Sequence, residues 1–172
     1  MKKLLAALTL ALLVSLALAV SAANATHSNG NGPKQDLVSG TGQFQGPFAI
    51  DLEIHVNAKS GPSGEDAQGH FFVRRAGFSE LDFRGEVTCL NIQGNQAMYG
   101  GEITKSKADP TLEGLGVMHF VEDNGEGNEP NDRSDGFFTA TPPEECPFSF
   151  LPHRFLPPTF EQGNYIVHDA TP

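Results

Sequence analysis

Glu86-Val87-Thr88-Cys89-Leu90-Asn91-Ile92 runs into Gly94-Asn95 and returns through Gln96 to Thr104. This stretch reads as a β-hairpin. β-Branched and aliphatic residues flank a two-residue loop with glycine first, which suits the primed turns whose twist matches that of the paired strands. Gly100-Gly101 falls inside the return strand, where it marks a bulge or a close backbone approach.

Working outward, the same period-2 signal recurs. Ile50, Leu52, Ile54 and Val56 alternate with Asp51, Glu53, His55 and Asn57, which predicts a strand with one wet face. Residues 68–75 and 78–84 are further strand candidates, as are 114–122, 136–140 and 164–168. Gly61-Pro62-Ser63-Gly64 is a turn. No window carries a helical stripe. Short strands joined by turns, without helices between them, predict an antiparallel all-β fold. The expected form is a small up-and-down barrel of about eight strands, lipocalin-like or allene-oxide-cyclase-like in architecture. A β-sandwich is the alternative. Thirteen Phe and no Trp are expected to fill the interior.

The ends of the chain differ in composition from this core. Met1-Lys2-Lys3 precedes an apolar run from Leu4 to Val20, and Ala23-Asn24-Ala25 fits an A-x-A cleavage pattern. Residues 1–25 therefore read as a Sec-type signal peptide, and the mature chain is expected to be secreted with no membrane span. Residues 26–35 read as a flexible leader and 36–172 as one β-barrel domain. Six of the twelve prolines lie between Pro142 and Pro158, interleaved with Phe148, Phe150, Leu151, Phe155, Leu156 and Phe160. Residues 142–160 read as a strap packed over one barrel end. A lid over a ligand cavity, or an apolar patch for a partner, is the functional alternative.

Eleven basic against twenty-one acidic residues give a net charge of −10. That field repels phosphate backbones, so no nucleic-acid partner is expected. In an oxidising compartment Cys89 and Cys146, 57 residues apart, are expected to form a disulfide. In the chain-entropy model such a bridge contributes roughly 4 kcal/mol.

The segment 122–135 holds six carboxylates, three Asn and one Arg. Hard cations take six to eight oxygen ligands from such stretches, which makes Glu122, Asp123, Asn124, Glu126, Asp132 and Asp135 candidate calcium ligands. Counted from Glu122, oxygen ligands fall at the first, third and fifth positions of an EF-hand loop and Gly127 at the sixth. The pattern then fails, since Arg133 stands where a bidentate Glu is needed. An acidic, solvated connection is the other reading. His119 alternates with Val117 and Val121 and can point into a barrel lumen, so His119, Phe120 and Tyr99 form a candidate cavity group. No G-x-S-x-G elbow, H-E-x-x-H helix or phosphate-binding glycine loop is present in the sequence.

Two blocks carry a resemblance. One is Phe83-Arg84-Gly85-Glu86-Val87-Thr88-Cys89-Leu90-Asn91-Ile92-Gln93-Gly94-Asn95-Gln96-Ala97 with Gly100-Gly101. The other is Val121-Glu122-Asp123-Asn124-Gly125-Glu126-Gly127 leading to Asp132-Arg133-Ser134-Asp135. Together they resemble a widespread group of small, mostly uncharacterised secreted bacterial proteins with a V-x-C-L…G-N-x-A…G-G hairpin and a D-N-G-x-G loop. In that group a second cysteine precedes a terminal G-N-x-x-V-x-D strand, matched here by Cys146 and Gly163-Asn164-Tyr165-Ile166-Val167-His168-Asp169. The resemblance implies the disulfide and a β-rich domain, and no activity.

The chain thus reads as a secreted β-domain that binds a small apolar ligand or a cell-surface or other macromolecular partner. A barrel enzyme of cyclase or isomerase type with an internal polar site is one alternative. A calcium-stabilised structural module is the other.

Overall fold

The structure, a computed structural model, describes residues 35–46, 50–76, 80–125, 132–148 and 162–170. All lie in one compact unit, Asn31–Pro172. The signal and leader assignments fall almost wholly outside the described residues, as do residues 149–160 of the strap and Glu126.

Eight strands follow one another: β1 (Asp36–Gly46), β2 (Ile50–Ser60), β3 (Gln68–Ala76), β4 (Leu81–Gln93), β5 (Gln96–Ser106), β6 (Gly116–Glu122), β7 (Arg133–Thr139) and β8 (Gln162–His168). One turn of 3₁₀-helix, Pro110–Leu112, interrupts the β5–β6 connection. The sheet order is β7-β6-β5-β4-β3-β2-β1-β8, and every neighbouring pair is antiparallel. This is the expected all-β, up-and-down architecture, curled into a half-barrel. The last strand returns to pair with the first. β7 and β8 are left as edges, with no backbone ladder between them among the described residues.

The β4–β5 hairpin forms as its sequence directs, with Gly94 at φ +63° in the two-residue loop. Residues 81–84 of the first of these candidates and 86–92 of the hairpin prove to be parts of one 13-residue strand. Gly85 between them does not break it; it makes room. A Cβ there would lie 2.2 Å from Cζ of Phe71, and one on Gly101 would lie 2.6 Å from Cε1 of the same ring. Phe71 therefore fills space that two glycines vacate.

A bulge at Thr88 lies across from Gly100-Gly101: Val87 pairs with Gly101, and Cys89 with Gly100. The extra residue reverses the strand's alternation. Val87, Leu90 and Ile92 point into the curl, whereas Cys89 is turned to the outer face. Two cores result. The inner one is mainly aliphatic, with Phe71, Phe83, Tyr99 and Tyr165. The outer one comprises Cys89, Met98, Met118, Phe120 and Cys146, with Phe148 packed against it.

One sequence expectation is corrected here. Phe is not the general filling of the interior: Phe120 belongs to the outer cluster, while Phe137 and Phe138 on edge strand β7 are exposed. The described part of the strap, 142–148, lies against the outer face of β4–β6; the rest of it is outside the described residues. Cys146 and Phe148 join Met98, Met118 and Phe120 there, and a Cβ on Gly100 would meet Pro143 Cγ at 2.4 Å.

Candidate functional site

Period-2 alternation on β5 and β6 sends Tyr99 and His119 to the inner face as direct cross-strand partners. Their rings stack at 5.2 Å and 7°, and Phe71 closes on both at 6.2 and 6.3 Å. The His119 ring also lies over Gly136, where a Cβ would come within 2.6 Å of it. Tyr99 Oη and His119 Nδ1 are buried without a hydrogen-bond partner among the described residues. Burial holds His119 neutral down to about pH 4, from an ordinary 6.5, and no neighbouring charge contributes to the shift. Burial likewise pushes the Tyr99 and Tyr165 phenols up. Phe120, assigned to the same group from sequence, sits on the opposite face of β6. The inner site is therefore a buried, stacked Tyr-His pair closed by Phe71.

The acidic segment is organised by backbone N–H groups. Asp123 Oδ1 accepts from Gly125 N at 2.9 Å and its Oδ2 from Val167 N at 3.0 Å. Asp132, fully buried, accepts from Asn124 N at 2.8 Å and from Tyr165 N at 2.7 Å. Asp135 accepts from Gly136 N at 2.8 Å. Glu122 accepts from Gln96 Nε2 at 3.1 Å and lies 3.8 Å from Arg133, and Asn124 Oδ1 accepts from Asn95. Of the candidate calcium ligands, Asp123, Asn124 and Asp132 are thus brought together at the β6–β8 seam. Glu126 is outside the described residues. No group of three His, Cys, Asp or Glu side chains converges as a metal site among the described residues.

The predicted disulfide is present: Cys89 and Cys146 are bonded, with Cα atoms 5.6 Å apart. Two hydrogen bonds fix the strap beside it, Asn91 Nδ2 to Cys146 O at 3.0 Å and Thr88 Oγ1 to Pro143 O at 2.5 Å. Between this anchored segment and the β2–β3 turn runs a groove of about 400 Å³. Pro62-Ser63-Gly64 forms one wall and Glu144-Glu145-Cys146-Pro147 the other, with Leu90-Asn91-Ile92 between them and Asp36 among the lining residues. Gly64, at φ +82°, sits so close to Leu90 O that a Cβ would lie 2.6 Å from it. Burial first, then the charges of Asp169 and Glu65, raise the Asp36 carboxyl above its ordinary value.

A further polar group lies on the outer face of β1–β3. Thr41 Oγ1 is 2.8 Å from His55 Nδ1, His55 Nε2 is 2.7 Å from Glu53 Oε1, and Arg74 is 2.6 Å from Glu53 Oε2. The Glu53-x-His55 spacing was visible in sequence. Thr41 and Arg74 were not, because only strand register places them opposite His55 and Glu53. The groove was likewise missed, since its walls come from segments some 80 residues apart, one of which reaches the site only because the disulfide, Asn91 and Thr88 hold the strap to β4.

These features define a disulfide-bonded, all-β domain of eight antiparallel strands with an anchored outer strap. No family model, curated protein or solved structure matches the chain. No helix among the described residues is long and apolar enough to cross a membrane.

Proposed function

We propose that the protein is a secreted binding module whose ligand site is the groove between the strap and the β2–β3 turn. One observation carries the reading: a concavity of about 400 Å³, one wall of which, the strap, is tied to β4 by the Cys89–Cys146 bond and by Asn91. Ligand pockets are commonly this large and largely pre-formed, and an anchored wall lowers the ordering cost of binding. Pro62 and Pro147 supply apolar contact for a small ligand or an apolar side chain of a partner, beside Asn91, while the Leu90 and Ile92 side chains belong to the inner core. Asp36, Glu144 and Glu145 among the lining residues disfavour anions. The apolar leader and A-x-A pattern ending at Ala25, the disulfide, and the resemblance to small secreted bacterial proteins support export.

Native mass spectrometry of the chain recovered from its own secretion route tests the proposal. An amino terminus at Thr26 and a retained molecule are expected. Adding that molecule back to the stripped protein should shift amide resonances of Ser63, Gly64 and Asn91. Shifts confined to other parts of the sheet would overturn the groove as the site, and an intact residue 1–25 segment would overturn the processing.

A further inference from the structure

The Thr41–His55–Glu53–Arg74 chain has a chemical direction. A carboxylate only accepts hydrogen bonds, so the Glu53–His55 contact places the proton of the neutral imidazole on Nε2. His55 Nδ1 is then the acceptor, and it lies 2.8 Å from the Thr41 hydroxyl. The hydrogen bond from His55 and the Arg74 charge hold Glu53 below the usual carboxylate range, so it stays anionic. Arg74 also fixes the carboxylate's second oxygen. Hydroxyl, base and orienting carboxylate thus stand in the order and within the reach by which serine and threonine hydroxyls are activated. The His55 side chain is 41% exposed, which leaves the group open to a reagent, and the Phe72 ring lies 5.6 Å from the imidazole as an apolar wall.

We infer that Thr41 is an acyl-acceptor site, taking an acyl group from an activated carboxylic ester. Thr41 Oγ1 attacks the ester carbonyl carbon, and its proton passes to His55 Nδ1. The carbonyl carbon's bond to the departing alcohol breaks, and the alcohol leaves with the proton returned from His55. The products are a threonyl ester and a free alcohol. No oxidant, metal or cofactor enters the balance. Glu53 and Arg74 are positioning residues, because they act through the imidazole.

The probe is p-nitrophenyl acetate on the folded, full secreted chain, read by intact mass and peptide mapping. A single acetyl group on Thr41 is expected, absent in Thr41→Val. In His55→Ala its formation should slow at least tenfold, since a positioned base contributes about 10²–10⁴-fold. Free imidazole in the buffer should restore much of that rate, which a purely structural role would not allow. Glu53→Gln should slow the reaction while Glu53→Asp retains part of it. Acetyl groups found only on lysines or the amino terminus would overturn the inference. So would Thr41 acetylation at an unchanged rate in His55→Ala. Should Thr41→Val fail to fold, the His55→Ala comparison with and without imidazole decides alone.

Discussion

Asp132 is fully buried, and each of its carboxylate oxygens meets a backbone N–H from a different part of the chain, Asn124 on one side and Tyr165 on the other. Hydrogen bonds donated to a charged group are worth about 1.5–3 kcal/mol, and a buried donor left unpaired carries a desolvation cost of about 1–3 kcal/mol. Asp132→Asn keeps the shape but turns an N–H toward one of two N–H donors. It should lower unfolding free energy by about 1–3 kcal/mol in urea titrations, with little change in slope. Asp123→Asn, on the more exposed side of the seam, should cost less. The density of carboxylates in 122–135 was legible in the sequence, but their partners were not. Tyr165 lies 33 residues beyond Asp132 and Val167 lies 44 beyond Asp123. His119 makes a second prediction at this scale. Its native pKa, about 4, lies below the unfolded value of 6.5. As pH falls through 6.5 the unfolded chain takes up a proton that the native chain refuses until about pH 4. The His119 contribution is therefore fully present above pH 6.5 and is lost progressively down to about pH 4, by roughly 3 kcal/mol at the limit. Asp36, whose carboxyl is raised, works in the opposite direction, so the comparison must be with a variant. His119→Leu should show a shallower loss of stability between pH 7 and pH 4.5 than the native chain, measured by denaturant midpoints.

At the scale of elements, the β4–β5 hairpin shows what local pattern can and cannot say. Its strands, its glycine-first turn and an irregularity at Gly100-Gly101 were all legible, because each depends on neighbours within a few residues. The consequence of the irregularity was not. A bulge at Thr88 reverses which face Cys89 occupies, and that reversal lets the strap reach it from outside. The same parity separates His119 from Phe120, adjacent residues that serve opposite cores. With Cys89 on the outer face, the disulfide ties the strap to the sheet rather than crossing the interior. Replacing both cysteines by alanine should therefore weaken the protein without abolishing the sheet. Removal of a native disulfide from a small domain costs about 2–5 kcal/mol. The expected result is a lowered urea midpoint with a retained β-type circular dichroism spectrum. Asn91 and Thr88 still hold the strap in that variant, so adding Asn91→Ala should produce a further loss that exceeds its cost in the disulfide-bonded chain.

For the whole molecule, the meander from β1 to β7 followed by β8 beside β1 leaves one seam where strands face each other without a ladder. Unpaired strand edges invite association with other chains. Here acidic side chains occupy them: Asp123 and Asp132 take N–H groups of β8, and Asp135 takes the N–H of Gly136 on β7. From β8 a further link passes over β1 to β2, Tyr165 Oη donating to Ile54 O at 3.1 Å. Stability should accordingly be graded around the sheet. β4 and β5, in the middle of the order and under the strap, open only with global unfolding, whereas β7, held by a single neighbour, opens first. Amide hydrogen exchange reads this gradient directly. Amides of β4 and β5 should be the slowest and those of β7 the fastest among strand residues. In Asp132→Asn the amides of Tyr165 and Val167 should exchange faster by a larger factor than those of Leu90 or Tyr99, because the substitution releases the seam before it releases the core. Equal acceleration at all four positions would mean that the seam opens only when the whole sheet does, and that the carboxylates add global stability rather than closing a locally weak edge.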